Sequence, residues 1–152
     1  MRISARGDYA VRACLELAVR PDDAPLSAEA IATGQDIPRR FLEGILPDLR
    51  RADIILSQRG ARGGHRLARA PEDVTVADVI RAVEGPLVYV RDDRPSDVEL
   101  RGTATPLVNV WVALRANVRA VLESVTLADL ADGRLPNDIA NLVADPGAWE
   151  QE

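Results

Sequence analysis

The stretch ILSQRGARGGHRLAR, Ile55–Arg69, decides the reading of this chain. Two short runs containing apolar residues flank a loop that holds Arg59, Gly60, Arg62, Gly63 and Gly64. Glycine tolerates positive φ and hence a tight reversal, so strand, loop and strand are expected over Ile54–Ala68. The two arginines give the reversal a charge that the turn itself does not require and that a phosphate attracts. A β-hairpin with a cationic tip, directly after a pair of helices, is the wing of a winged helix-turn-helix. That arrangement points to double-stranded DNA as a partner.

The sequence upstream supplies the helix pair. Ala10, Ala13, Cys14, Leu17 and Ala18 recur at helical spacing, which predicts an amphipathic helix over about Asp8–Val19, broken by Pro21-Asp22-Asp23-Ala24-Pro25. Ser27 is placed to cap a short second helix, with Leu26 and Ile31 in staple positions and Gly34 placed to end it. After the turn Gln35-Asp36-Ile37, Pro38 opens a third helix whose inner stripe is Leu42, Ile45, Leu46 and Leu49. This is the candidate recognition helix. Pro47 lies inside it and crowds the carbonyl of Glu43, so a kink or break is expected there.

Charge is divided along the chain. The formal net charge of −5 argues against a nucleic-acid partner on its own. Residues 1–70, however, carry 12 Arg against 9 carboxylates, and residues 71–152 carry 7 against 15. Any polyanion-binding surface therefore belongs to the N-terminal half. Every basic residue is arginine, which compositional bias explains as well as selection for bidentate phosphate contacts does. With 47% hydrophobic but only 3% aromatic residues, the core has to be built from Ala, Val, Leu and Ile.

Downstream of the hairpin, Thr75 and Asp78 form a capping pair before VADVIRAVEG, which Gly85-Pro86 ends. Leu87–Pro106 reads as irregular. A longer helix follows from about Pro106 to Ser124, in which Leu107, Trp111, Leu114, Val118 and Val121 make an a/d seam. Val110, Val112 and Leu122 widen it, so the helix is expected to pack on its own domain and on a second copy. Thr126 and Asp129 cap a short helix in an otherwise acidic, turn-rich tail. The fold class expected is mostly α with a small β-wing. It divides into a winged helix-turn-helix at 1–85, a loop at 86–105, and a dimerisation helix with tail at 106–152.

Together these pieces resemble the IscR/NsrR/CymR family of bacterial transcription regulators, the Rrf-two superfamily. The resemblance rests on MRISARGDYAVRA, FLEGIL with LRRADII, SQRGARGGHRLAR, DVTVADVIRAVEGPL and SVTLADL, which cover about residues 1–90 and 106–130. It implies a homodimer whose long C-terminal helices cross, with two wings and two recognition helices reading a partly palindromic operator. It places Arg59 at the minor groove and makes Arg2, Arg6 and Tyr9 backbone-phosphate anchors, with packing around a solvated hydroxyl the alternative for Tyr9; Arg62 is expected near phosphate. Arg39 and Arg40 open the recognition helix, where a helix N-terminus favours phosphate and arginine reads guanine. Glu43 either accepts from a cytosine amino group or pairs with Arg39. Gly60, Gly63 and Gly64 shape the turn, and His65 starts the second wing strand with a packing or DNA-backbone role.

One departure is as informative as the match. Sensing relatives hold an iron–sulfur cluster on three cysteines after the EGPL segment, and residues 87–106 contain none. No cluster, metal or other cofactor is therefore expected, and Asp8, where some relatives supply an N-terminal ligand, has no cysteines to complete. The lone Cys14 lies on an apolar stripe and reads as a buried, inert thiol. Asp92, Asp93, Asp97 and Glu99 lack the spacing of a calcium loop. Trp111 reads as an interface anchor, with ligand stacking the alternative. With one histidine and no nucleophile–base set, the chain does not read as an enzyme. The expected function is a DNA-binding regulator, a repressor, located in the cytoplasm without a membrane span and answering to an unidentified small-molecule or protein effector. The alternative is a regulator or adaptor that acts mainly through a protein partner.

Overall fold

The helices start where side-chain caps stand, and this fixes most of the architecture. The computed structural model describes residues 2–20 and 22–150, so Pro21 of the expected first break lies outside them. Helix α1 spans Ala5–Ala18. It begins a turn before the apolar stripe does, because the Ser4 hydroxyl accepts the Gly7 N–H at 3.0 Å. Helix α2, Ala28–Gln35, is capped by Ser27, whose hydroxyl accepts from the Ala30 N–H at 3.1 Å. It ends on Asp36 in the left-handed region (φ 50°) rather than at Gly34. A short polar side chain tolerates that conformation nearly as glycine does.

Helix α3 runs Arg39–Arg51 and buries Leu42, Ile45, Leu46 and Leu49. Pro47 does not break it, contrary to the sequence expectation. The carbonyl that loses its donor belongs to Glu43, an exposed residue, so the loss does not fall in the core. The next carbonyl, on Gly44, receives an N–H from Arg6 at 3.2 Å.

Strands β1 (Ile55–Gln58) and β2 (Gly64–Leu67) pair antiparallel in the register Ile55 with Leu67 through Gln58 with Gly64. Leu26 adds a one-residue third strand: its N–H donates to the His65 carbonyl and its carbonyl accepts the His65 N–H, both at 2.8 Å. The hairpin is thereby tied to the segment leading into α2. That approach needs glycine at 64, where φ is 146° and a Cβ would lie 2.6 Å from the Leu26 carbonyl oxygen.

Helix α4, Val76–Glu84, carries the capping box of Thr75 and Asp78 and stops at Gly85 (φ 82°). Helix α6, Leu127–Asp132, carries the same box in Thr126 and Asp129. The two boxes lie side by side: the Val76 N–H donates to the Val125 carbonyl and the Leu127 N–H to the Val74 carbonyl, both at 2.9 Å. Leu127 is fully buried in the same core as Ala10, Cys14, Ile31, Leu42, Ile45, Leu49 and Ile55. The chain therefore leaves the N-terminal body after α4 and returns to it.

The excursion consists of residues 86–106, which contain short 3₁₀ turns at Pro95–Asp97 and Gly102–Ala104, and of helix α5, Leu107–Ser124. Helix α5 packs on α4 and the Pro95–Asp97 turn, yet none of its residues is fully buried. A further helix, α7 (Asn137–Ala144), occupies sequence that reads only as turn-rich, and buries Ile139. Its two turns are too short for a periodic signal to stand out. The result is a mostly helical chain with one small antiparallel sheet.

Replacing Gly64 with Ala should lower stability by about 2–3 kcal/mol. A urea unfolding curve measures this, and an unchanged midpoint would show that the Leu26 approach is not tight.

Candidate nucleic-acid interface

Helix α3 and the hairpin carry most of the residues that the sequence singles out, and the fold holds them with neighbours far away in the chain. The Arg6 guanidinium pairs with Asp48 and bonds the Gly44 carbonyl, tying the start of α1 to the second half of α3. Arg12 pairs with Asp8 at 3.1 Å and donates to the Gln35 carbonyl at 3.2 Å, holding the turn before α3. Tyr9 packs edge-on against Phe41 with ring centroids 4.9 Å apart, and Arg12 lies over its other side at 4.8 Å. The contacts of Asp48 with Arg6 and of Arg12 with the Gln35 carbonyl had no local signature, since they span 42 and 23 residues.

The first turns of α3 are exposed. Arg39 pairs with Glu29 at 2.7 Å, both well exposed, and a pair in that setting is worth about 0–1 kcal/mol. Arg40 lies over the Phe41 ring at 5.5 Å. Glu43 is exposed and does not pair with Arg39.

At the hairpin, Arg59, Gly60 and Arg62 are all exposed, and Gly60 takes a φ of 107°. Among the described residues, Arg6, Arg12, Arg20, Arg39, Arg51 and Arg66 in the N-terminal half are held by carboxylates. No such pair involves Arg40, Arg50, Arg59 or Arg62. Gly63 and Gly64 are half-buried at the base of the turn. Arg2 stands elsewhere: it borders a cleft with Leu87, Tyr89, Trp111 and Leu114, away from α3 and the hairpin.

His65 joins the two halves of the surface. Its Nδ1 lies 2.9 Å from the Ser57 hydroxyl across the hairpin. Burial, and then the nearby Arg50 charge at the end of α3, lower its pKa below the ordinary 6.5.

These features coincide with a known family. The family model described as Rrf2, Iron-dependent Transcriptional regulator, matches residues 3–133. The chain belongs to the Rrf2 family. It is 44% identical over 150 residues to a Mycobacterium tuberculosis protein, Rv1287, whose name places it among HTH-type transcriptional regulators; the match covers 99% of this chain and 93% of that one. It is 36% identical to the HTH-type transcriptional regulator CymR of Bacillus subtilis, over 86% of this chain and 90% of the other. The structure of B. subtilis CymR superposes with a TM-score of 0.73, covering 88% of this chain and 98% of that one at 34% identity. T. potens IscR gives 0.71 at 30% identity, covering 100% and 94%. This Rrf2-family protein is thus a transcriptional regulator with a winged-helix fold.

The iron named in the family description does not fit the residues of this member. Its single cysteine, Cys14, is fully buried inside the core of α1, and burial pushes its pKa up to about 12. No group of three or more His, Cys, Asp or Glu side chains among the described residues is placed to hold a metal ion. Asp8 is exposed and engaged by Arg12. Thiolate ligation of iron has no donor set here.

Two measurements check these environments. As pH falls through about 6.5, the unfolded chain takes up a proton at His65 before the folded one does, so the stability held above that pH should decline as the pH drops below about 6.5. His65→Gln should flatten that part of a urea-midpoint profile. Cys14 should resist a thiol reagent at pH 8 in the native protein and react on unfolding; prompt native reaction would contradict its burial.

Proposed function

We propose that this regulator binds a partly palindromic operator as a homodimer and represses transcription from it in the cytoplasm. The observation that carries the reading is the sorting of arginines in the N-terminal half. Half of the twelve are neutralised by carboxylates, whereas Arg59 and Arg62 at the hairpin tip, and Arg40 on α3, are exposed and in no ion pair among the described residues. In a chain of net charge −5, unpaired cations set on a rigid turn and on the opening of a helix are positioned for phosphate and base edges.

In this reading Arg39, Arg40 and Glu43 face the major groove, and the weak Arg39–Glu29 pair exchanges for a phosphate or a guanine. Arg59 enters the minor groove, Arg62 meets phosphate, and Gly60, Gly63, Gly64 and His65 hold the hairpin in shape. Arg6 and Tyr9 act at the backbone edge through the α1–α3 contact that they build. Arg2 would reach DNA only if the N-terminal segment turned away from Trp111.

The dimer reading rests on α5. Leu107, Val110, Val112 and Val121 are exposed apolar residues, Val110 by 54%, and Trp111, Leu114 and Val118 are only half-buried. Successive turns of one helix thus present a hydrophobic stripe to solvent, which monomeric surfaces avoid. A second copy of the same helix covers it symmetrically.

Arg59→Ala should weaken binding to fragments selected from the source genome by about 1–3 kcal/mol, measured by fluorescence anisotropy, with a shallower salt dependence. Unchanged affinity would remove the hairpin from the interface. Val110→Glu should convert the dimer into monomers in sedimentation at micromolar concentration. A wild-type chain that sediments as a monomer would overturn the dimer.

A further inference from the structure

Three arginines converge where α4, the loop that follows it and α5 meet. Arg81 lies in the last turn of α4, Arg94 precedes the Pro95–Asp97 turn, and Arg115 lies midway along α5. With Gly85, Pro86 and Val88 they line a cleft of about 370 Å³ that has no carboxylate in its wall.

Arg81 has an evident structural partner in Glu123 of α5, which is also held by Arg119 at 2.9 and 3.3 Å. Those two cations keep the Glu123 carboxyl down at about 2, so it is ionised throughout the working range. A cation in the last turn of a helix also suits the helix dipole. Neither reason extends to Arg94 or Arg115, for which the described residues provide no ion pair or hydrogen-bond acceptor.

The setting makes that unusual. Residues 71–152 hold 15 carboxylates and only 7 arginines, so partners were plentiful, yet Arg94 and Arg115 share the hollow with Arg81 and neither has one among the described residues. Like charges gathered around a cleft repel unless an anion sits between them. Planar guanidinium groups match tetrahedral oxyanions bidentately, and Val88, Pro86 and Gly85 form a small wall beside them. Arg115 follows Leu114 in α5 and is turned about 100° from it, on the flank of the stripe and not at its centre.

We propose that this cleft is a binding site for a small, doubly charged oxyanion of the phosphate or sulfate type, either free or as the terminal group of a small molecule. The site is separate from α3 and the hairpin. It is built jointly by the end of the winged-helix body, the 86–106 loop and the long helix, so a ligand there ties α5 to α4.

Calorimetric titration of the full chain tests this, using inorganic phosphate, sulfate and glycerol phosphate at ionic strength held constant with chloride. An Arg59→Ala/Arg62→Ala background silences the hairpin. Saturable binding of one anion per chain is expected, weakened at least tenfold by Arg115→Gln and by Arg94→Gln, with the helical circular dichroism of each variant unchanged. Tighter binding of glycerol phosphate than of the inorganic anions identifies an esterified metabolite as the natural occupant; equal or weaker binding identifies the free anion. No saturable heat with any of the three, or equal binding in the Arg94 and Arg115 variants, overturns the proposal. Because the background lacks the hairpin arginines, neither result bears on DNA binding.

Discussion

The small-residue face of α1 is the constraint on which the rest of this structure depends. Gly7, Ala10, Ala13, Cys14 and Leu17 are its buried positions, and α2, α3, α4, α6 and β2 all pack against it. Small side chains let several helices approach one axis, and a chain with only 3% aromatic residues fills the remaining space with Leu, Ile and Val. Each large aliphatic residue so buried contributes about 1.5–3 kcal/mol. A bulky residue at Ala10 or Ala13 would push apart the helices that set the orientation of α3.

Charge then finishes what packing begins. Arg6 with Asp48, and Arg12 with Asp8 and the Gln35 carbonyl, fasten α1 to α3 and to the turn before it. These bonds spend cations internally and define, by subtraction, which arginines stay available on the surface. The pairing of Leu26 with His65 does for the hairpin what Arg6 does for α3: it converts a flexible reversal into a fixed projection. A recognition surface needs this rigidity, because contacts to DNA that must first be ordered lose part of their gain to conformational entropy.

The excursion between α4 and α6 has a different physical character. It departs from and returns to the core through the paired strands of backbone at Val74–Val76 and Val125–Leu127, so α5 is anchored at its C-terminal end while its apolar stripe stays in solvent. The loop before that helix contributes Arg94 and a buried Val88, Pro95 and Val98. The junction is closed by aliphatic contacts and lined by guanidinium groups.

Features that act within three or four residues were legible in the chain itself. The boxes of Thr75 with Asp78 and Thr126 with Asp129, the Ser27 cap, the inner stripe of α3 and the glycine-built hairpin follow from backbone valence, side-chain reach and steric freedom, all of which are local. The left-handed Asp36 and the short α7 were not, because local alternatives there differ by little and packing chooses among them; the Ser4 cap of α1 is equally local, but the apolar periodicity that marks the helix begins a turn later. The continuity of α3 through Pro47 was not legible either, since Pro47 alone predicts a kink or break. The long-range neutralisation of Arg6 and Arg66, where Arg2 lies, and the meeting of Arg81, Arg94 and Arg115 were decided only by tertiary structure, since such partners stand up to 43 residues apart and nothing in sequence spacing encodes a contact that exists only after the chain has folded.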